Sequence, residues 1–193
     1  MELTKRQKEI INASIDLIAT GGIQNFTMKS LSRDIGISEP AIYRHFDSKL
    51  DILMAILTSI RNDIQSFEKK NNIENNGTLE DINRMFCFQI ESFVKNPSLA
   101  SILFSEEIFQ NELKLSNNVK SIMNDTCDLV EKVILREQKK GNVTCDINSQ
   151  VLTNIIIGTI RLIVIKWKLA GCKNDLKKIY TMHWNSLNSL LKM

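Results

Sequence analysis

The stretch TMKSLSRDIGISEPAIYRHFDSK, residues 27–49, decides how this chain folds. A short helix is predicted to follow Thr27, which can cap it, and to end at Gly36. A second helix is predicted over residues 39–46, after Ser38, which can cap it. Apolar residues are spaced to close a small core between the two helices, namely Leu31, Ile35, Ile37, Ile42 and Phe46. The pattern predicts a helix-turn-helix, in which the second helix enters the major groove of DNA.

Helix signals also precede this stretch. Thr4 and Gln7 have the spacing of a capping box, so a first helix is expected to begin there. Apolar residues follow at helical intervals, and Gly21 with Gly22 is expected to end the helix. The first fifty residues therefore predict a unit of three helices.

Helical patterns continue through the rest of the chain. Ser48 and Asp51 can cap a fourth, long helix that ends near residue 69. The Asn- and Gly-rich segment NNIENNG, residues 71–77, is predicted to be a loop. Further helices are expected at about 78–95, 98–113, 117–140, 147–170 and 174–192. No stretch alternates at the period of a strand, so the sequence predicts an all-α fold of about nine helices.

Composition and charge exclude several classes of protein. The chain has 193 residues, and its 7 Gly and 2 Pro are too few for the many turns of an all-β protein. Its net charge of +3 is too small to indicate a nucleic-acid partner by itself. The motifs of nucleotide-binding loops, serine hydrolases and zinc proteases are absent, so no enzymatic activity is expected.

The cysteines and histidines do not form a metal-binding pattern. The sequence has 4 Cys, without a C-x-x-C pair, and 2 His, so no metal and no cofactor are expected. Cysteines of this kind are typical of the reducing cytoplasm, which is the expected location. The first residues include acids and do not resemble a signal peptide. The most apolar stretch, residues 155–165, is too short to span a bilayer and contains Arg161, so no membrane partner is expected.

The segment GISEPAIYRHFDSK, residues 36–49, preceded by FTMKSL at 26–31, resembles the DNA-binding end of the TetR family of bacterial transcriptional regulators. The match extends over roughly residues 8–55, and the remainder is similar to the family only in its helical architecture. The resemblance implies a helix-turn-helix DNA-binding domain over residues 1–50. It also implies a helical effector-binding and dimerisation domain over residues 51–193.

The resemblance further implies which residues contact DNA. Tyr43, through its hydroxyl, and His45 occupy positions that contact phosphates in the family. Lys49 stands at a helix N-terminus, where charge and backbone amides both favour a phosphate. Thr27 caps the second helix and commonly reaches the DNA backbone. Lys29 is placed to contact a phosphate or a base edge.

Four more residues are candidates for reading bases, namely Glu39, Pro40, Ala41 and Arg44. Arginine can read guanine O6 and N7, whereas alanine and proline can only pack, for instance against a thymine methyl. Glu39 departs from the small or amide residue that is more usual in the family. A carboxylate near phosphates lowers affinity unless it accepts a hydrogen bond from a cytosine amino group.

Helical bodies of this family usually enclose a pocket for a small molecule, which here implies a small apolar effector. The residues that could line it are Phe86, Ile90, Phe93, Phe104, Phe109, Met123, Cys127 and Trp167. The same residue types are typical of a helical core, and for any one of them core packing is the more frequent role. The sequence leaves these two interpretations open.

The segment VLTNIIIGTIRLIVIKWKLAG, residues 151–171, carries apolar residues on more than one face, so it must be buried against neighbours or another chain. Gly158 would permit close approach of a second helix. With the last helix, the segment resembles the dimer interface of the family, a four-helix arrangement. The residues concerned in the last helix are Ile179, Trp184, Leu187, Leu190 and Leu191. Burial within one chain is the alternative.

The predicted function is that of a homodimeric, sequence-specific DNA-binding transcriptional regulator, a repressor that a ligand releases from its double-stranded DNA operator. One alternative is an architectural or cell-division DNA-binding protein of the same fold without an inducer. The apolar content of residues 86–127 disfavours it. Another is a ligand-binding or interaction protein whose helix-turn-helix no longer binds DNA. The intact Gly36, Tyr43 and Lys49 disfavour that one.

Overall fold

A computed structural model of the chain describes residues 3–104 and 112–192, and every regular element in these ranges is an α-helix. The predicted all-α class is confirmed. The described ranges contain ten helices, where the sequence predicts about nine. They are α1 (Lys5–Asn25), α2 (Met28–Ile35), α3 (Glu39–Tyr43), α4 (Lys49–Lys70), α5 (Ile73–Asn76), α6 (Leu79–Lys95), α7 (Pro97–Leu103), α8 (Leu113–Lys139), α9 (Ser149–Leu169) and α10 (Leu176–Leu191).

The first helix begins as its capping box predicts. The Gln7 amide donates to Thr4 Oγ1 at 3.2 Å, and the Thr4 amide donates to Gln7 Oε1 at 3.0 Å. The regular part of α1 ends at the predicted glycine pair, where Gly22 leaves helical geometry with a φ of 73°. A further short turn follows this kink and extends α1 to Asn25. The kink depends on glycine, since other residues adopt such a φ only with strain.

The segment 71–77 contains a helical turn, α5, in place of the predicted loop. Ile73 is fully buried, so the segment is anchored in a core. The Arg136 guanidinium donates to the carbonyl oxygens of Glu74 and Gly77 in the same segment. The loop prediction is wrong because Asn and Gly content carries no information about contacts with a distant part of the chain.

The remaining predicted helices are present with shifted ends. α6 ends at Lys95 and α7 begins at Pro97, as expected because the residue before a proline avoids helical geometry. α7 ends at Leu103, well before the predicted residue 113. α8 begins at Leu113, earlier than the predicted residue 117. Residues 105–111 lie outside the described ranges.

By packing, the chain divides into two compact units. The first comprises residues 1–61 and 96–119, and the second comprises residues 62–95 and 120–193. In the first unit α1 packs on α2 and α7, and α2 packs on α3. In the second unit α10 packs on α6 and α9. α4 and α8 each contribute residues to both units. The functional boundary at residue 50 stays a prediction.

One described helix, α9, is long and apolar enough to cross a membrane on length and composition alone. The core helix of a globular protein passes the same test. α9 buries one face within the second unit, through Leu152, Ile156, Ile160, Ile163, Val164 and Trp167. It also packs on α10, as a core helix must pack on its neighbours. The absence of a membrane partner stays a prediction.

Candidate nucleic-acid interface

The first helix of the predicted helix-turn-helix is fixed at both ends. At its start the Ser30 amide donates to Thr27 Oγ1 at 3.0 Å, while the Thr27 amide donates to Ser30 Oγ at 2.9 Å. At its end Gly36 adopts the left-handed conformation, with φ of 74° and ψ of 34°. The Gly36 amide donates to the carbonyl oxygen of Ser32. The predicted cap and the predicted stop of α2 are both confirmed.

The second helix, α3, is shorter than predicted. It ends at Tyr43 instead of residue 46. The amides of His45 and Phe46 both donate to the carbonyl oxygen of Ile42, which tightens the last turn. Ser38 occupies the N-cap position, but within the described part of the chain its hydroxyl makes no capping bond. That part of the capping prediction is wrong.

One face of α3 is buried, and the opposite face is open to solvent. Ile42 is fully buried, whereas Tyr43 is 47% exposed. Successive residues of a helix are about 100° apart, so the side of α3 opposite Ile42 carries Pro40 and Arg44. Both of these side chains are exposed. The open face corresponds to the one that a helix-turn-helix presents to the major groove.

All the predicted DNA-contact residues lie in the first unit, and they differ in exposure. The exposed ones are Thr27, Lys29, Pro40, Tyr43 and Arg44. The half-buried ones are Glu39, Ala41, His45 and Lys49. The first group is open to DNA in the present conformation, whereas Lys49 is engaged in contacts within the unit.

α1 supports this surface through contacts that the sequence pattern does not indicate. Gln7 Nε2 donates to the His45 carbonyl oxygen at 3.4 Å. The Lys49 ammonium donates to the Ile23 carbonyl oxygen at 3.1 Å and lies 5.4 Å from the centre of the Phe26 ring. Burial lowers the pKa of Lys49. The two bonds join residues 38 and 26 positions apart, so no local motif could have revealed them.

Each unit contains a surface cavity. One of about 250 Å³ lies in the first unit, and its described lining residues are Ile23, Gln24, Lys49, Leu50, Leu53, Glu112 and Leu115. One of about 390 Å³ lies in the second unit, lined by Thr78, Leu79, Glu80, Glu137, Gly141, Asn142, Asn188 and Lys192. None of the predicted effector-pocket residues belongs to either described lining.

Four of the predicted effector-pocket residues are buried in the second unit. Phe86, Ile90 and Phe93 follow one another along one side of α6. Trp167 is buried on α9, and its Nε1 donates to the Asn174 carbonyl oxygen at 2.9 Å. These positions suit a core as well as a pocket wall.

The other predicted effector-pocket residues are less buried or not described. Met123 and Cys127 are half-buried, one turn apart on α8, and burial raises the pKa of the Cys127 thiol. Phe104 is half-buried and belongs to the first unit. Phe109 lies outside the described residues. Over the ranges that are described, the four cysteines are free thiols, and no His, Cys, Asp and Glu side chains cluster as metal ligands.

A second exposed surface, on α9 and α10, is apolar. Its exposed residues are Val151, Ile155, Leu162 and Leu169 on α9, and Met182 and Leu190 on α10. Three of these with Gly158 recur along α9 at helical intervals of four, three and four residues. Among the described residues, none outside its own helix backbone and chain neighbours approaches within 4 Å of a Cβ placed at Gly158. Three residues predicted for the dimer interface are instead buried within the chain, namely Trp184, Leu187 and Leu191.

Two family models match the chain. One, described as bacterial regulatory proteins of the tetR family, matches residues 10–56. The other, described as the C-terminal region of YsiA-like proteins, matches residues 46–189. The chain belongs to the TetR family. It is therefore a DNA-binding transcriptional regulator with an N-terminal helix-turn-helix, as the motif at residues 26–49 predicts.

Similarity to individual proteins extends over nearly the whole chain. The nucleoid occlusion factor SlmA of Vibrio atlanticus is 23% identical over 192 residues, which cover 98% of this chain and 97% of that protein. The fatty acid degradation regulator FadR of Bacillus halodurans has a TM-score of 0.80 and 18% identity, covering 97% of both chains. FadR of Bacillus subtilis, in complex with stearoyl-CoA, has a TM-score of 0.79 and 21% identity, covering 97% of this chain and 100% of that one. These two structural likenesses show the shared fold.

Replacing Ile42 by alanine tests the assignment of the two faces of α3. Removing this fully buried side chain is expected to lower the free energy of unfolding by about 2–5 kcal/mol. Tyr43→Ala is the matched control, and its exposed ring is expected to change that free energy by less than about 0.5 kcal/mol. Denaturant unfolding followed by circular dichroism measures both variants. Equal losses in the two would contradict the assignment.

Proposed function

We propose that this TetR-family regulator is a homodimeric repressor that binds a double-stranded DNA operator through α3 and is released by a small apolar effector. A cytoplasmic location, without membrane partner, cofactor or enzymatic activity, is part of the same proposal. The observation that carries it is the contrast on α3 between the fully buried Ile42 and the exposed Tyr43 and Arg44. A helix held in this way can enter a major groove.

The bases are read, in this proposal, by residues along the open side of α3. Arg44 donates two hydrogen bonds to guanine O6 and N7, for which its exposed guanidinium is suited. Pro40 and Ala41 pack against base edges such as a thymine methyl. Glu39 accepts from a cytosine amino group, which offsets the repulsion between its carboxylate and nearby phosphates.

The phosphates are contacted, in this proposal, by residues around α3. Tyr43 and Thr27 have exposed hydroxyl-bearing side chains, and Lys29 is an exposed cation on α2. His45 follows α3 and is half-buried. Such contacts set the register and orientation of a protein on DNA, and the bases then supply specificity. Lys49 is the remaining phosphate contact that the sequence predicts, but its ammonium is bonded within the unit, so it is not counted among the proposed contacts.

The exposed apolar surface of α9 and α10 is the proposed dimer interface. The two helices pack on each other, so their exposed stripes lie on neighbouring elements. A second copy of the chain, related by a two-fold axis, would bury these stripes, and Gly158 would let the two backbones approach closely. A dimer also places two recognition helices on one operator, as the half-sites of helix-turn-helix proteins require.

The proposed effector is a small apolar molecule. The proposed lining remains Phe86, Ile90, Phe93, Phe104, Phe109, Met123, Cys127 and Trp167. Support comes from the similar FadR of Bacillus subtilis, which was solved with stearoyl-CoA, a ligand with a long apolar chain. An effector that binds better to a conformation with the wrong spacing of α3 helices shifts the population away from DNA. Operator DNA then weakens effector binding by the same factor.

A second candidate function has support from the relatives named nucleoid occlusion factors, such as the Vibrio atlanticus protein. The chain would then act in cell division or chromosome organisation as a DNA-binding protein without an inducer. Chromatin immunoprecipitation separates the two functions. A repressor occupies few sites near promoters, whereas an architectural protein occupies many sites dispersed over the chromosome.

The DNA contacts are tested by fluorescence-anisotropy titration against the DNA upstream of this gene, across a salt series. Arg44→Ala is expected to weaken specific binding by about 1–3 kcal/mol and to relax discrimination at one base pair. Arg33→Ala is the matched control, since Arg33 is exposed on α2 and lies outside the predicted contacts. Equal affinities of the two variants would contradict the role of Arg44.

The dimer interface is tested by Leu162→Glu, measured by sedimentation equilibrium. Leu162 is 57% exposed in the single chain, so the change should leave the fold intact. Two carboxylates buried across a two-fold interface are expected to weaken dimerisation at least about tenfold. Val94→Glu, at an exposed apolar residue of α6, is the control. Unchanged dimerisation of Leu162→Glu would place the interface elsewhere.

A further inference from the structure

The Lys49 ammonium has two partners within the first unit. Nζ donates to the carbonyl oxygen of Ile23 at 3.1 Å. It also lies 5.4 Å from the centre of the Phe26 ring, within the range of a cation–π contact. Phe26 is fully buried and Lys49 is half-buried. Desolvation lowers the pKa of Lys49, as expected of an ammonium partly withdrawn from water.

Ile23 lies in the short turn that ends α1 after the kink at Gly22, and Phe26 follows that turn; residues 23–27 are called the α1–α2 connection below. That connection follows the kink at Gly22, and the Ile23 carbonyl also accepts a hydrogen bond from the Phe26 amide at 3.3 Å. It leads to Thr27, whose capping box fixes the start of α2. Lys49 is the first residue of α4. Its side chain therefore joins the start of one helix to the junction of two others.

The connection leads directly into α2, and α2 packs on α3, so the connection is linked to α3 through α2. A second bond, from Gln7 Nε2 to the His45 carbonyl, joins the first turn of α1 to the end of α3. Near both of its ends, α1 is thus bonded to the segment that follows α2. These two bonds are therefore the contacts through which α1 could hold α3 in place.

We propose that Lys49 is a positioning residue for the recognition helix α3 rather than a phosphate contact. Its ammonium holds the α1–α2 connection against the start of α4. It does so through one hydrogen bond from a charged donor and one cation–π contact. Swinging the ammonium out to a phosphate would break both contacts. The role of Lys49 in DNA binding rests on the proposed function. The two contacts between Lys49 and the α1–α2 connection, called the Lys49 clasp below, can be tested without DNA.

The test compares Lys49→Met, Lys49→Arg and Lys29→Met. Methionine keeps an unbranched apolar stem but has neither charge nor donor, whereas arginine keeps both. Lys29→Met removes an exposed lysine of α2 and is the matched control. Amide hydrogen exchange over residues 23–31 is measured without DNA, and operator affinity is measured across a salt series. If Lys49→Met does not fold, Phe26→Leu, which removes the ring beneath the ammonium, takes its place.

In Lys49→Met we expect amide exchange over residues 23–31 to be at least about tenfold faster, because local opening is easier. Operator affinity is expected to fall about tenfold with an unchanged salt slope, since no phosphate contact is lost. Lys49→Arg is expected to restore both. In Lys29→Met we expect normal exchange and a salt slope reduced by about one.

Three outcomes would contradict the positioning role of Lys49 or show that the proposed function fails separately from it. Normal exchange in Lys49→Met, with a salt slope reduced by about one, would assign Lys49 to a phosphate and overturn the proposal. Faster exchange with unchanged operator affinity would overturn positioning and leave a residue that only stabilises the fold. If the unaltered chain binds no DNA, the proposed function fails. Amide exchange in Lys49→Met then tests only whether Lys49 holds the α1–α2 connection in place. A normal exchange rate over residues 23–31 would overturn that claim.

Discussion

The complete burial of one face of α3 is the constraint on which the rest of this structure depends. A helix of five residues, Glu39–Tyr43, is too short to be stable alone, so tertiary packing has to hold it. Ile42 supplies the buried side. The left-handed turn at Gly36 and the capping box at Thr27 fix α2, on which α3 packs. Once that face is buried, the opposite face is left in water with the side chains that a major groove can accept.

α1 is bonded to the segment around α3, and the second unit exposes an apolar stripe on α9. The bond from Gln7 to His45 and the bond from Lys49 to Ile23 join α1 to the segment around α3 at two places. In the second unit the exposed stripe of α9 is the proposed dimer interface, because its apolar residues, aligned at helical spacing, stay hydrated in a single chain. In the proposed dimer two short recognition helices contact one operator, which doubles the few contacts that a single helix makes.

Local signals in the sequence predict most of the fold and the exposed part of the site. The capping box at Thr4, the cap at Thr27 and the stop at Gly36 depend on neighbouring residues, and all three are present. Long-range contacts escape such signals, which is why the α5 turn and the Lys49 clasp were not predicted. The effector lining is hardest to predict, because aromatic residues at helical spacing serve a core and a pocket wall alike. Burial of Phe86, Ile90 and Phe93 is compatible with both.

Hydroxyl-radical footprinting of the unaltered chain, on DNA selected by it from a random pool, tests most directly that α3 of a dimer reads an operator. We expect an inverted repeat with two protected half-sites. Their centres should be separated by about 34–36 Å, one helical turn of DNA, or by a multiple of it. Selection of no common sequence, or protection of a single stretch without two-fold symmetry, would contradict it.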